Sequence, residues 1–314
     1  MRGYLRVWRV DNWVKQVLVL PGVVFALFIP GVMRGLDWAG AIGILALAIL
    51  GTCLVSSANY IINEFLDAPT DKFHPTKKTR TCVVKPLNAW IVWAMWLCAG
   101  AIGVGLGFFA NVWIGACLGV LWGLGLLYNV KPLRVKDIAY IDILFEAANN
   151  VLRLLIGWFV ITVAMFPALT IVLGYWFGCC FLLSTKRYSE LRIFPNRDEA
   201  ALYRKSFRHY TENSLMGLGF AFAMLSITFT TLFFTWFRLS LVFCVPLLCI
   251  LFVFYLRLSF RENSVVQHPE RILREPWFML VFLMFCATFV GLLLIKIPDE
   301  SIIAIYKNFS TRWW

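Results

Sequence analysis

Residues 63–80 read NEFLDAPTDKFHPTKKTR, and this polar stretch stands between two long apolar segments of a 314-residue chain that is 61% hydrophobic. Glu64, Asp67 and Asp71 place three carboxylates within eight residues, and His74, Lys77, Lys78 and Arg80 follow them. On a helix, Asn63, Asp67 and Asp71 are spaced i, i+4, i+8 and share one face. Oxygen ligands on one face suit a hard cation such as Mg²⁺, which binds through a few carboxylates together with substrate phosphates. The basic cluster behind them suits the phosphates. The alternative is a solvated charged loop between two membrane helices.

Outward from this stretch, composition sets the class. The mean hydropathy is +0.78 and only 15% of residues are charged, more apolar surface than a soluble domain of this length carries. The reading is an all-α, polytopic membrane helical bundle. Nine apolar segments are long enough to span, over 17–34, 38–61, 88–109, 111–128, 138–163, 165–184, 214–236, 239–257 and 277–296. The basic, aromatic N-terminus (MRGYLRVWRVDNWVKQ) reads as an interfacial entry into the first span. Residues 1–314 read as one integral membrane domain, with motif loops at about 62–87 and 185–213.

The net charge of +12 is explained by topology and gives no reason to invoke nucleic acid. All of the 29 Lys and Arg except Arg34, Arg153, Arg238, Lys296, Lys307 and Arg312 fall in five regions, which nine spans place on one face. The positive-inside rule makes that face cytoplasmic and puts the C-terminus outside, with Trp313 and Trp314 as interfacial anchors. The nine Cys are scattered without a C-x-x-C pair, which argues against disulfides and zinc. No G-x-S-x-G, P-loop, dinucleotide fingerprint or H-E-x-x-H occurs.

Three further constellations carry polar chemistry. TKRYSEL (Thr185–Leu191) closes the sixth span, where Lys186 and Arg187 suit phosphate and Glu190 a second metal position. LYNVKPLRVKDIAYID (Leu127–Asp142) sets Tyr128, Lys131, Arg134 and Lys136 at the mouth of two spans, where they suit a phosphate-gripping loop with a Tyr near the reacting centre. Both also fit plain topology-setting basic ends. Arg153 lies inside the fifth segment, where a charge costs roughly 2.5–3.5 kcal/mol on insertion scales. An acidic partner, Glu146 or Asp142, is expected for it, in a functional or a structural ion pair.

These residues together resemble the UbiA superfamily of intramembrane prenyltransferases, whose first motif is N-D-x-x-D-x-x-x-D. Here it runs from Asn63 to Asp71 with Glu64 in the second place, and Arg80-Thr81 replaces the family's Arg-Pro. His74-Pro75-Thr76-Lys77-Lys78, Trp13-Val14-Lys15-Gln16 and Lys186-Arg187-Tyr188-Ser189-Glu190-Leu191 are similar to the decaprenyl-phosphate phosphoribosyltransferase branch. Pro132-Leu133-Arg134-Val135-Lys136-Asp137 is closer to ordinary prenyltransferases.

The resemblance implies nine membrane helices and Mg²⁺ held by Glu64, Asp67 and Asp71, with Glu190 from the second motif. It implies a diphosphate leaving group neutralised by Lys77, Arg80, Lys186 and Arg187, with Tyr128 near the reacting carbon. Asn63, His74, Lys78, Lys136 and Arg153 complete the expected substrate contacts. The partners expected are an isoprenoid lipid, a diphosphate donor and membrane lipids, with room for a homo-oligomer, in a bacterial inner membrane. The leading expectation is phosphoribosyl transfer from phosphoribosyl diphosphate to a polyprenyl phosphate. The alternatives are prenyl transfer from a polyprenyl diphosphate and a non-enzymatic transporter or scaffold.

Overall fold

The computed structural model describes residues 2–29, 31–261, 264–267 and 269–295. Among them nine helices are long and apolar enough to cross a membrane: α1 (Gly3–Leu27), α2 (Trp38–Asp71), α3 (Ala89–Ala110), α4 (Val112–Asn129), α5 (Ile141–Ile161), α6 (Leu169–Leu191), α7 (Glu212–Phe237), α8 (Leu239–Ser259) and α9 (Pro276–Leu294). No strand occurs among the described residues. The apolar runs of the sequence and these spans agree closely except at the ends of α1, α2 and α6. Trp313 and Trp314 lie outside the described residues.

The chain divides into two compact units, one of residues 1–167 and 194–211, the other of 168–193 and 212–314. The first holds α1–α5. Its core gathers Val19, Ala48, Val55, Leu118, Leu121, Ile156 and Phe159, with Val104 of α3 packed against them. Small residues bring the helix backbones together, as membrane helices require in the absence of a hydrophobic drive between them. A β-carbon on Gly22 or Gly157 would lie 1.9 Å from the Leu154 or Val19 carbonyl oxygen, so α1 and α5 cross at main-chain contact. At the short α3–α4 turn Asn111 closes α3 by donating its N–H to the Gly107 carbonyl at 3.0 Å, while its side chain caps α4 and reaches α5. Its Oδ1 accepts from the Ile114 N–H at 2.9 Å, and its Nδ2 donates to the Phe159 carbonyl at 3.0 Å.

The first span is displaced towards the N-terminus from the expected 17–34. It combines a turn at Arg2–Arg6, a 3₁₀ stretch over Val10–Val19 and a helix over Leu20–Leu27. Polar residues are tolerated there because α2 supplies partners. Trp13 Nε1 donates to Ser57 Oγ at 2.9 Å, and Gln16 Nε2 donates to Ser56 Oγ at 3.1 Å. The helix stops at Leu27, and Gly31 then turns the chain with φ +89°, a conformation open to glycine.

The second unit packs α6 against α7 and α8 against α9. Ser226 Oγ on α7 donates to the Gly174 carbonyl on α6 at 2.8 Å. Aromatic rings fill the rest of this interior, with Phe181 beside Phe252 and Phe234 beside Phe289. In both units large apolar side chains such as Trp90, Phe109, Phe220, Trp236 and Trp277 point outward, a surface that suits lipid.

Candidate active site

The length of α2 positions the site. Its 34 residues extend about 51 Å at 1.5 Å per residue, against a hydrocarbon layer of roughly 30 Å. The last turns, which carry the acidic motif, therefore run on past the apolar run that ends near residue 61. This corrects the expectation of a loop from residue 62: the chain stays helical to Asp71. Pro69, which cannot donate to the helix ladder, precedes that end by two residues.

The i, i+4 spacing is realised as a contact. Asn63 Nδ2 donates to Asp67 Oδ2 at 3.0 Å and to Asn129 Oδ1, at the end of α4, at 2.7 Å. Asp67 Oδ1 accepts from Arg134 Nη2 at 3.0 Å and from the Lys136 ammonium, which also donates to Asn129 Oδ1 at 2.8 Å. Burial pulls the Lys136 pKa down to about 8 against the opposing pull of Asp67. Arg134 reaches Asp67 from a backbone at φ +30°, a strained conformation for a residue with a β-carbon. Its Nε lies 3.4 Å from Asp137 Oδ2, so the guanidinium spans two carboxylates.

Around these groups lies a cavity of about 250 Å³. Lys131, Arg134, Lys136, Arg204 and Lys205 line it against Asp67 and Asp137, a formal excess of three positive charges. Leu66 and Pro69 supply the aliphatic wall. Arg204 is fixed by a buried network. Its Nη2 donates to Tyr128 Oη at 2.6 Å and to Asp142 Oδ2 at 2.9 Å, and Tyr128 donates to Glu146 Oε2 at 2.8 Å. The Tyr210 hydroxyl donates to Asp142 and accepts from the Tyr140 N–H. Tyr128 thus stands beside the cavity through Arg204. Arg134 belongs to the loop over Leu127–Asp142 that the sequence marks for phosphate, whereas Arg204 and Lys205 are not among the substrate contacts expected from it. The last two sit in the basic run YRKSFRHY, and that run was their only signal.

The remaining motif residues diverge. Asp71 is buried and accepts from Arg80 Nη1 at 2.6 Å. Glu64 serves the backbone instead. Its Oε1 accepts from the Thr81 N–H at 3.0 Å and caps the short helix Thr81–Val84. His74 is buried, and its Nδ1 accepts from the Thr76 and Lys77 N–H groups at 3.2 and 3.3 Å. Its ring meets those of Tyr203 and Phe194 edge-on, at 4.6 and 5.8 Å between centroids. The Lys77 ammonium lies over Tyr203 and bonds its hydroxyl. Lys78 is exposed.

Arg153 departs from its expectation. Asp142 pairs with Arg204 and Glu146 accepts from Tyr128, so neither serves Arg153 as the expected counter-charge. Neutral acceptors surround its guanidinium: Gln16 Oε1 at 2.9 Å, the Asn149 carbonyl at 3.0 Å, Asn150 Oδ1 at 3.1 Å and Ser56 Oγ at 3.2 Å. This ring satisfies the donors without desolvating a second charge, an alternative to a buried ion pair with its double penalty. Arg153 ties α1, α2 and α5 together and is not among the residues lining the cavity.

Lys186, Arg187 and Glu190 belong to the second unit. Arg187 Nη1 and Glu190 Oε2 pair at 3.1 Å across one turn of α6, both buried. The Ser184 and Thr185 hydroxyls donate to the Phe181 carbonyl. As at α2, helix continues through the motif, to Leu191. Among the described residues no three His, Cys, Asp or Glu side chains form a metal-holding group.

The model of the UbiA prenyltransferase family matches residues 19–271. The chain is similar to the decaprenyl-phosphate phosphoribosyltransferase of Mycolicibacterium smegmatis, 25% identical over 214 residues, and to that of Corynebacterium glutamicum, 29% identical over 217. Each match covers 68% of this chain, and 64% and 61% of those relatives' own lengths. Its fold is that of a UbiA homolog from Archaeoglobus fulgidus solved with GPP and Mg²⁺, with a TM-score of 0.68 and 15% identity over 93% of this chain and 100% of the other. A solved structure from work on digeranylgeranylglyceryl phosphate synthase gives 0.64 and 14% identity, covering 94% and 99%.

Proposed function

Since the chain belongs to the UbiA prenyltransferase family and is an integral membrane protein, we propose that it transfers a phosphoribosyl group from phosphoribosyl diphosphate to a polyprenyl phosphate. The observation that carries this reading is the cavity at the end of α2. Five basic side chains and two carboxylates line it, with Leu66 and Pro69 as its aliphatic lining. That lining favours a donor that is hydrophilic and phosphorylated throughout over one with a long apolar tail. The activity named for the two bacterial relatives points the same way.

The donor set fits Mg²⁺ in chemistry. Asp67 lines the cavity and Asp71 follows one turn later, both hard oxygen ligands on one helix. Asp67 and Asp71 would hold the cation. Glu64, whose Oε1 caps Thr81, would join them through its other oxygen. Bound there, Mg²⁺ would withdraw charge from a departing diphosphate.

The chain's own basic groups share that work. Lys136, Arg134, Lys131 and Arg204 are aimed into the space a diphosphate would fill, so they favour the charge that develops on it as the bond to the sugar breaks. Arg204 is held for this by Tyr128 and Asp142. The nucleophile is the acceptor's phosphate oxygen, and exclusion of water prevents hydrolysis of the donor. Arg80 and Lys77 would complete the charge at the motif, with Lys78 at its exposed edge and Asn63 orienting Asp67. For the α6 end the same reading assigns phosphate charge to Lys186 and Arg187 and a carboxylate ligand to Glu190. The basic loops face the cytoplasm of a bacterial inner membrane and the C-terminus lies outside.

The second reading, prenyl transfer from a polyprenyl diphosphate, is favoured by the PLRVKD element that carries Arg134 and Lys136. One experiment separates the two. Purified protein in detergent with Mg²⁺ is given labelled phosphoribosyl diphosphate with a polyprenyl phosphate, and separately a polyprenyl diphosphate with a mixed lipid acceptor pool. Labelled lipid in the first mixture alone is expected. Product in the second alone assigns prenyl transfer, and silence in both from folded protein removes the enzymatic reading.

A further inference from the structure

Each carboxylate at the end of α2 already has a partner. Glu64 faces a backbone N–H, Asp71 faces Arg80, and Asp67 faces both Arg134 and Lys136. The two cations on Asp67 share one oxygen, Oδ1. A divalent cation approaching that oxygen meets two positive charges within hydrogen-bond distance of it. Like charges this close repel even at a protein surface, and a doubly charged ion feels more.

The same two side chains line the cavity that suits an anion. Both come from the single loop after α4, and Arg134 holds its position there on a positive-φ backbone. Asp137 gives Arg134 a second carboxylate to rest on when it leaves Asp67. Arg134 therefore keeps a carboxylate when it changes partners, and Lys136 keeps the Asn129 Oδ1 acceptor until the anion supplies its counter-charge.

We infer that Lys136 and Arg134 close Asp67 to a divalent cation until an anion of the diphosphate class enters the cavity and takes these two side chains, so that cation and anion bind only together. The inference rests on the cation assignment proposed above and adds the condition for binding. Linkage makes the coupling mutual: the factor by which the anion tightens the cation is the factor by which the cation tightens the anion. The consequence is an enzyme that does not hold its metal idle, because the basic loop serves as counter-charge in the free protein.

The test is equilibrium dialysis of the full chain in detergent against radioactive Mn²⁺, with and without inorganic diphosphate in both compartments. Chelation in solution is then equal on the two sides, and only protein-held metal shifts the distribution. For the wild type, diphosphate is expected to tighten Mn²⁺ by about tenfold or more, within the usual range of site coupling. Lys136→Gln and Arg134→Gln are each expected to tighten Mn²⁺ severalfold in the absence of diphosphate and to shrink the increment it brings. Lys136→Arg, which keeps the charge, should retain the wild-type dependence, and elution as a single species reports that each variant is folded. Equal Mn²⁺ affinity of the wild type with and without diphosphate overturns the inference. So does an unchanged anion-free affinity in both folded Gln variants. Asp67→Asn keeps the two failures apart. If it leaves Mn²⁺ binding in diphosphate intact, the cation assignment itself falls. If it weakens that binding while the anion has no effect, only the exchange falls.

Discussion

Two helix ends in this molecule carry acid and base side by side, and they are built differently. At the end of α2, Asp67 is met by Arg134 and Lys136, which lie 67 and 69 residues further along the chain. At the end of α6, Glu190 is met by Arg187 only three residues before it. The first arrangement exists only because separate segments converge, and it borders a cavity. The second follows from one turn of helix and is buried. A pair made from distant segments can be re-partnered by a ligand that moves a loop. A pair within one turn keeps its geometry as long as the helix stands. The difference separates an acid whose bases arrive from distant segments from an acid whose base stands on its own helix.

The largest expected effect tests the first half of that contrast. Asp67→Asn keeps size and hydrogen-bonding capacity and removes the charge. Turnover should fall by about 100- to 1000-fold, the scale seen when one electrostatic contributor to a transition state is lost. The measurement is diphosphate release under saturating donor with the folded variant. Glu190→Gln is expected to lower turnover less than Asp67→Asn, and a loss as deep in a variant that melts at the wild-type temperature breaks the contrast.

The α6 pair is expected to register in stability. Removing one member of a buried pair costs roughly 3–5 kcal/mol, because the other charge loses the counter-charge one turn away. Arg187→Met and Glu190→Gln should each lower the denaturation midpoint in detergent. The double variant Arg187→Met/Glu190→Met should recover much of that loss, since replacing both charges by apolar groups removes the desolvation cost. Turnover that stays absent after stability returns would give the pair a chemical role as well.

The two ends also differ in how far they could be read from the chain. The spans were legible because apolar runs of membrane length leave little else possible. The Asn63–Asp67 contact was legible because i, i+4 is a property of the helix alone. Arg204 was not, because nothing in YRKSFRHY says that its second residue folds back onto Tyr128 and Asp142, 76 and 62 residues earlier. Arg153 shows the opposite error. The cost of a buried charge led to an expected acid, yet its acceptors Gln16 and Ser56 stand 137 and 97 residues away. Local spacing cannot reveal neutral groups assembled from distant helices. The polar motifs read as loops proved to be helix ends, because a helix that outruns the bilayer needs no apolar residues in its last turns.

A smaller effect is expected at Arg204, which distinguishes a fixed cation from a mobile one. Arg204→Lys keeps the charge but cannot span Tyr128 and Asp142 with one planar group. Losing a hydrogen bond to a charged partner costs about 1.5–3 kcal/mol. A fall in kcat with KM for the donor little changed is expected, since the group favours charge that develops as the bond breaks, and a rise in KM alone would limit Arg204 to holding the donor.

The smallest effect is expected at His74, at the margin of the α2 end. Two of its contacts matter here: its Nδ1 caps the turn at Thr76 and Lys77, and its ring meets Tyr203 and Phe194 edge-on. Two substitutions separate them. His74→Asn keeps an acceptor of similar reach and removes the ring, whereas His74→Phe keeps a ring and removes the acceptor. The loss of a capping acceptor costs about 1 kcal/mol, and an aromatic pair contributes about 0.5–1.5 kcal/mol. Thr76 is exposed, so water can replace part of the cap, whereas nothing replaces two ring contacts. His74→Asn should therefore be the more damaging, by a lower melting temperature and faster proteolysis near residues 74–80. If His74→Phe is the worse of the two, this margin is held by a local turn, as the α6 end is, and the reliance on distant segments stops at Asp71.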